Sequence, residues 1–185
     1  MTNTRKLAYI AILSAVSFLL LYFSFPLIPA ADFLKVDFSI LPVLIALVIF
    51  DFKSAIGVLL LRSLLKLLLN NGGPGSMIGL PMNFVALGVF VWGLSYFWKK
   101  NQTSKNYIFG SVVGTVLLTV AMVILNYIYA VPLYAKFANF DIAQFIGLYK
   151  YLFVMVVPFN LLEGLIFTVA FALIYAPLKS ILVKL

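Results

Sequence analysis

Pro158-Phe159-Asn160-Leu161-Leu162-Glu163 stands inside the last apolar run of the chain. A helix turns once in about 3.6 residues, so Asn160 and Glu163 share one face, one turn apart. Their neighbours are otherwise Val, Phe, Leu and Ile. Pro158 lacks a backbone donor and tends to start or kink a helix at that point. An amide and a carboxyl facing the same way in lipid are costly unless something polar meets them. The stretch therefore predicts a membrane helix with a polar face turned toward a ligand.

The rest of the composition agrees. Of 185 residues, 65% are hydrophobic and only 10% are charged, with a mean hydropathy of +1.17. Such a balance belongs to an integral membrane protein, and the length suits one bundle, a single domain over residues 1–185. The net charge of +8 is spread between apolar runs, which marks a cytoplasmic side and argues against nucleic acid as a partner. Cys and His are absent, so disulfides, thiolate metal sites and the commonest general base are excluded. Arg5 and Lys6 before an apolar run resemble a signal peptide, but no small-residue cleavage site precedes Pro26, so a retained first helix is expected.

Six spans are predicted: about Leu7–Ser24, Ser39–Phe50, Ser54–Leu69, Leu80–Trp98, Tyr107–Val131 and Tyr151–Ala176. All but the short second one approach the ~20 residues a bilayer crossing needs. Ala8, Ala11 and Ala15 share a face of the first span, where small residues allow another helix to approach closely; packing within the bundle is the alternative. Between Phe25 and Phe38, prolines and the charges Asp32, Lys35 and Asp37 break the pattern, yet Phe33, Leu34, Val36 and Phe38 keep it apolar. This loop reads as a lid over a pocket, or else as an interfacial segment. Asn70–Gly79 reads as a turn-rich breaker, with Pro81 opening the fourth span. Trp92, Tyr96 and Trp98 read as interfacial aromatics. Gly110 and Gly114 form a second close-approach pair, and Pro132 is expected to end the fifth span.

Charge sets the orientation. Arg5, Lys6, Lys53, Lys99, Lys100, Lys105, Lys179 and Lys184 fall on one side, against Lys35, Lys136 and Lys150 on the other. The termini are thus expected in the cytoplasm, in a multi-pass cell-membrane protein. The Pro-rich loop, the Gly-rich loop and the Tyr134 region then face outward together with Asn83 and Asn126. This convergence predicts a pocket open to the exterior.

Enzyme chemistry finds no support. The five acidic residues make no paired-carboxylate or metal pattern, and Gly72, Gly73 and Gly75 lack a following Lys-Ser/Thr. No catalytic residue, metal or cofactor is expected. Binding fits better. Asn83, Asn126 and Asn160 each offer donors and an acceptor, suited to a flat heterocycle walled by Phe33, Leu34, Tyr127 and Tyr134. An interhelical hydrogen bond is the plainer reading of each Asn taken singly.

Leu34-Lys35-Val36-Asp37-Phe38-Ser39 with Pro42, Pro81-Met82-Asn83-Phe84, Asn126-Tyr127 with Pro132 and Tyr134, and Pro158-Phe159-Asn160 resemble, in this order, the riboflavin-specific S components of energy-coupling-factor (ECF) transporters. The resemblance covers nearly the whole chain. It implies an all-α bundle of six transmembrane helices with an outward pocket capped by the first loop. It implies riboflavin as transported ligand, and a transmembrane T protein with two ATPase subunits as partners. Ala11 and Ala15 match the family's Ala-x-x-x-Ala surface for the T protein; with Ala8 they make a partner-docking face. Asn126 and Asn160 match residues that hydrogen-bond the flavin, and Phe159 lies beside them.

One departure stands out. The family often carries Lys where this chain has Glu163. The carboxylate either accepts from the ligand or pairs with Arg62, which counts to a similar membrane depth; the pair is favoured here. An S component for another vitamin and an autonomous secondary transporter are the competing functions, the latter disfavoured by the lack of a clear inverted repeat.

Overall fold

A computed structural model describes residues 2–31 and 33–182; Asp32 and Lys184, used above for charge, lie outside them. The fold is all-α apart from one small hairpin. Helix α1 spans Asn3–Leu20, earlier than the predicted Leu7–Ser24. It stops because the chain turns into β1 (Phe25–Pro26), which pairs antiparallel with β2 (Lys35–Val36). Proline and the residue before it favour extended backbone, so Pro26 suits a strand.

Helix α2 (Ile40–Ile49) is the centre of the bundle. Ile40, Val43, Leu44, Ala46 and Leu47 are wholly buried, and α2 is apolar all round, as a core helix must be. Helix α3 (Phe52–Leu69) starts where the Asp51 side chain accepts from Ser54 N–H at 2.8 Å, an N-cap. Asp51 also accepts from Lys6 Nζ at 2.8 Å. Partial burial pushes the Asp51 carboxyl up, but the hydrogen bonds from Lys6 and Ser54 outweigh this and hold it near 2. At the same end, Lys99 Nζ donates to the carbonyls of Leu47 and Val48 at 2.8 and 2.7 Å, closing the end of α2.

Helix α4 (Pro74–Trp98) begins well before the predicted Leu80, with Pro74 in its first turn after Gly73 at φ +80°. The glycine-rich stretch is thus partly helical, and Pro81 lies inside the helix. Trp98 is also corrected: only 2% exposed, it packs edge-on against Tyr107 and Tyr175 at 5.2 and 5.0 Å. Trp92 and Tyr96 face outward as expected.

Helix α5 (Ser104–Leu125) runs on through a π-helical turn, Asn126–Ala130, into α6 (Val131–Phe137). Pro132 therefore does not end the span. The wider turn before it reorganises the backbone bonds that a proline would break. The same device recurs after α7 (Ile142–Phe145): a π-helical turn, Lys150–Val156, precedes Pro158 and leads into α8 (Val157–Leu182). Gly93 and Gly114 let α4 and α5 touch backbone to backbone, for a Cβ at Gly93 would stand 2.8 Å from Gly114 Cα. Three helical stretches are long and apolar enough to cross a membrane: Pro74–Trp98, Ser104–Phe137 and Lys150–Ser180. The shorter α1, α2 and α3 pack with them.

Candidate functional site

A cavity of ≈ 440 Å³ opens at the end of the bundle away from Lys6 and Lys99. The loop before α2 supplies Phe33, Leu34 and Lys35, held there by the β1–β2 pairing and by burial of Ala31 and Val36. Helix α4 supplies Gly79, Met82, Asn83 and Ala86, spaced as one helical face requires. The α5–α6 stretch supplies Met122, Asn126, Ala130 and Tyr134, one residue in every four. In a regular α-helix such a stripe would drift by about 40° per step. The π-helical turn at Asn126–Ala130 absorbs that drift and keeps the four in line. Phe140 and Ile142 close one side, and Tyr151, Phe159 and Glu163 come from the last helix.

Most of the polar groups are already engaged. Asn126 Nδ2 donates to Met122 O at 2.7 Å, and its Oδ1 accepts from the Tyr151 hydroxyl. Asn83 Oδ1 accepts from Arg62 Nη2, while Arg62 Nη1 donates to Ser39 Oγ at 2.7 Å. Phe33 lies against Tyr151 with ring centroids 6.2 Å apart. Glu163 is 7% exposed, lines the cavity, and forms no ion pair among the described residues.

The expectations divide accordingly. Asn83, Asn126, Glu163, Tyr134, Phe33, Leu34 and Phe159 converge on one cavity. Three corrections follow. Arg62 and Glu163 do not pair: the guanidinium is satisfied in part by Ser39 and Asn83 instead. Tyr127 is 57% exposed and points outward, because it sits one position past Asn126, on another side of the π-helical turn. Asn160 is buried beside the cavity without lining it; Nδ2 donates to Val156 O at 2.7 Å and Oδ1 has no partner among the described residues. Sequence reasoning missed Tyr151. Its signal was a hydroxyl-bearing aromatic two turns before Phe159, obscured by the π-helical turn between them. Ala8, Ala11 and Ala15 are all exposed, so the small face of α1 is not used for packing within the bundle.

The chain matches the family described as "ECF transporter, substrate-specific component" over residues 5–175. It is 97% identical to the riboflavin transporter RibU of Streptococcus thermophilus across all of this chain and 88% of that protein. It is 41% identical to the riboflavin transporter RibU of Lactococcus lactis subsp. cremoris, over 97% of this chain and 96% of that one. A solved chain described under "Structure and mechanism of the S component of a bacterial ECF transporter" superposes with a TM-score of 0.81 at 29% identity, covering 98% of this chain and 99% of the other. Family match, whole-chain relatives and shared fold agree, and the chain belongs to the substrate-specific (S) components of ECF transporters.

Proposed function

We propose that this chain captures riboflavin at the outer face of the cell membrane and delivers it through an ECF complex. The observation that carries the reading is the 97% identity to a riboflavin transporter along the entire chain. The cavity is chemically suited to the task. Its volume of ≈ 440 Å³ lies in the range of small-molecule sites. Aromatic and aliphatic walls from Phe33, Leu34, Tyr134 and Phe159 match a flat tricyclic ring. Asn83, Asn126 and Glu163 meet the polar edge or the ribityl hydroxyls, and Asn160 Oδ1, without a partner among the described residues, is buried just behind that wall. No covalent step on the ligand is invoked.

In this reading all six helical segments, the short α2 among them, lie across the membrane, with both termini cytoplasmic. The basic residues gathered at the Lys6–Lys99 end support it. The chain carries no nucleotide-binding motif, so energy comes from two partner ATPases, transmitted by a transmembrane T protein. The exposed Ala8, Ala11 and Ala15 face of α1 is the proposed docking surface for that protein.

The test has two parts. Purified chain titrated with riboflavin should quench flavin fluorescence at a ratio of one ligand per chain; no quenching sinks the reading. Uptake in a riboflavin-requiring strain should need the T protein and ATPases together with this chain. Equal uptake without them would point to an autonomous transporter.

A further inference from the structure

Arg62 is wholly buried in the middle of α3, in contact with the site through a single residue. Arginine presents five N–H donors and no acceptor. The Asn83 amide atom facing it must therefore be the oxygen, as observed. Asn83 lines the cavity, and its amide nitrogen bonds to no protein atom among the described residues, so it is free to donate to a ligand there. The guanidinium is itself held in place. Nη1 donates to Ser39 Oγ at 2.7 Å. The Ser39 carbonyl accepts from Ser17 Oγ on α1, and its N–H donates to Asp37 Oδ1 at 2.8 Å. Swinging away from Asn83 would break the bond to Ser39, a residue itself fixed by Ser17 and Asp37.

The opposite wall has the reverse character. Glu163 lines it and offers carboxyl oxygens; behind the lining, Asn160 Oδ1 is a buried acceptor without a partner among the described residues. A cavity with the Asn83 donor on α4 and the Glu163 carboxyl on α8 selects a ligand whose edge presents an acceptor and a donor in matching order. We propose that Arg62 is a positioning residue that fixes this order: by holding Asn83 Oδ1 it commits Asn83 to donate to the ligand.

The inference rests on the proposed riboflavin function and deepens it. The nearest acceptor-and-donor pattern in that ligand is the alternating carbonyl and N–H edge of its pyrimidine ring. An orientation held by a buried charge loses no free energy to amide rotation when ligand arrives, which is pre-organisation. A neutral residue at position 62 would leave the amide free to present its oxygen instead.

Three substitutions test this by riboflavin fluorescence titration in detergent, with folding followed by size-exclusion profile. Arg62→Met should weaken binding about tenfold, the effect of losing one well-placed hydrogen bond. Arg62→Lys, which still offers only donors, should recover most of that loss. In an Asn83→Ala background, Arg62→Met should change affinity by less than about twofold, since the two act through one contact. Asn83→Asp keeps the partner of Arg62, and gains an ion pair, but turns the cavity-facing atom into an acceptor; it should fold and bind more than about tenfold weaker. Should Arg62→Met not fold, Arg62→Lys and Asn83→Asp decide the matter. Parental affinity in Arg62→Met or in Asn83→Asp overturns the inference, as does full additivity in the Asn83→Ala background. Absence of riboflavin binding by the unsubstituted chain overturns the functional reading and this inference together; binding by that chain with unchanged binding by the variants overturns this inference alone.

Discussion

The Tyr151 hydroxyl donates to Asn126 Oδ1, and so ties the two π-helical turns of the protein to each other. Each turn precedes a proline, Pro132 or Pro158, and each turns a polar side chain into the cavity. The bond therefore joins the two helices at the point where both leave regular geometry. π-Helical turns concentrate at functional sites because the inserted residue re-aims its neighbours.

Tyr151→Phe removes the donor and leaves Asn126 anchored only through Nδ2 to Met122 O. The phenyl ring still packs against Phe33. Folding should be retained, and riboflavin affinity should fall by about three- to tenfold, the worth of one neutral hydrogen bond. A fluorescence titration of the variant checks this. An unchanged affinity would mean that Asn126 is positioned by Met122 alone.

Glu163 sits in the cavity wall with no cationic partner within salt-bridge distance among the described residues. A buried carboxyl without a partner costs stability, most of all when it ionises. Glu163→Gln keeps the shape and removes that cost, so the apparent melting temperature in detergent should hold or rise. Ligand binding should move the other way. Glutamine replaces a carboxyl oxygen with an amide donor, so one ligand hydrogen bond is lost and affinity should drop about three- to tenfold. Opposite signs for stability and binding are the expected signature; a fall in both would assign Glu163 to holding the bundle together.

The face made by Ala8, Ala11 and Ala15 is exposed, with none of the described residues packed over it. Ala11→Leu with Ala15→Leu places two larger side chains where a second helix would need close approach. Neither reaches the cavity. Riboflavin titration of the isolated chain should be unchanged, while uptake in the complete complex and recovery of the T protein by affinity purification should be lost. Normal uptake would remove this face from the docking surface.

How much of this was legible in the sequence depended on the kind of signal. Long apolar runs with sparse charge disclosed the membrane fold, because lipid permits few alternatives. Asn83, Asn126 and Glu163 were legible for the same reason: each is a polar group in an apolar context. Tyr127 misled, since an ideal periodicity puts no π-helical turn next to Asn126. The Arg62–Glu163 pair misled because membrane depth along two helices says nothing of rotation about them. Arg62 faces Asn83 and Ser39, a matter of helix packing that only the assembled bundle reveals.

The α4–α5 and α5–α8 contacts depend on the absence of side chains. A Cβ at Gly93 would lie 2.8 Å from Gly114 Cα, and one at Gly164 would overlap Thr115 Oγ1 and lie 2.8 Å from its Cβ. Neither neighbour can yield without moving backbone or a stiff β-branched side chain. Gly93→Ala and Gly164→Ala should each destabilise by about 1–3 kcal/mol, as overpacked cores do. That corresponds to a loss of roughly 3–10 °C in melting temperature for a chain of this size. Gly57 supplies the contrast. It also lies within a helix, but a Cβ there would meet nothing within 4 Å. Gly57→Ala should therefore stabilise by up to about 1 kcal/mol through helix propensity alone. Gly164 adjoins Glu163, so its variant should also weaken riboflavin binding. Gly93 does not line the cavity, and Gly93→Ala should lower the melting temperature with affinity unchanged. Thermal melts of the three variants in detergent, each paired with a flavin titration, check the set. If Gly93→Ala melts with the parent, the backbone contact between α4 and α5 does not limit stability.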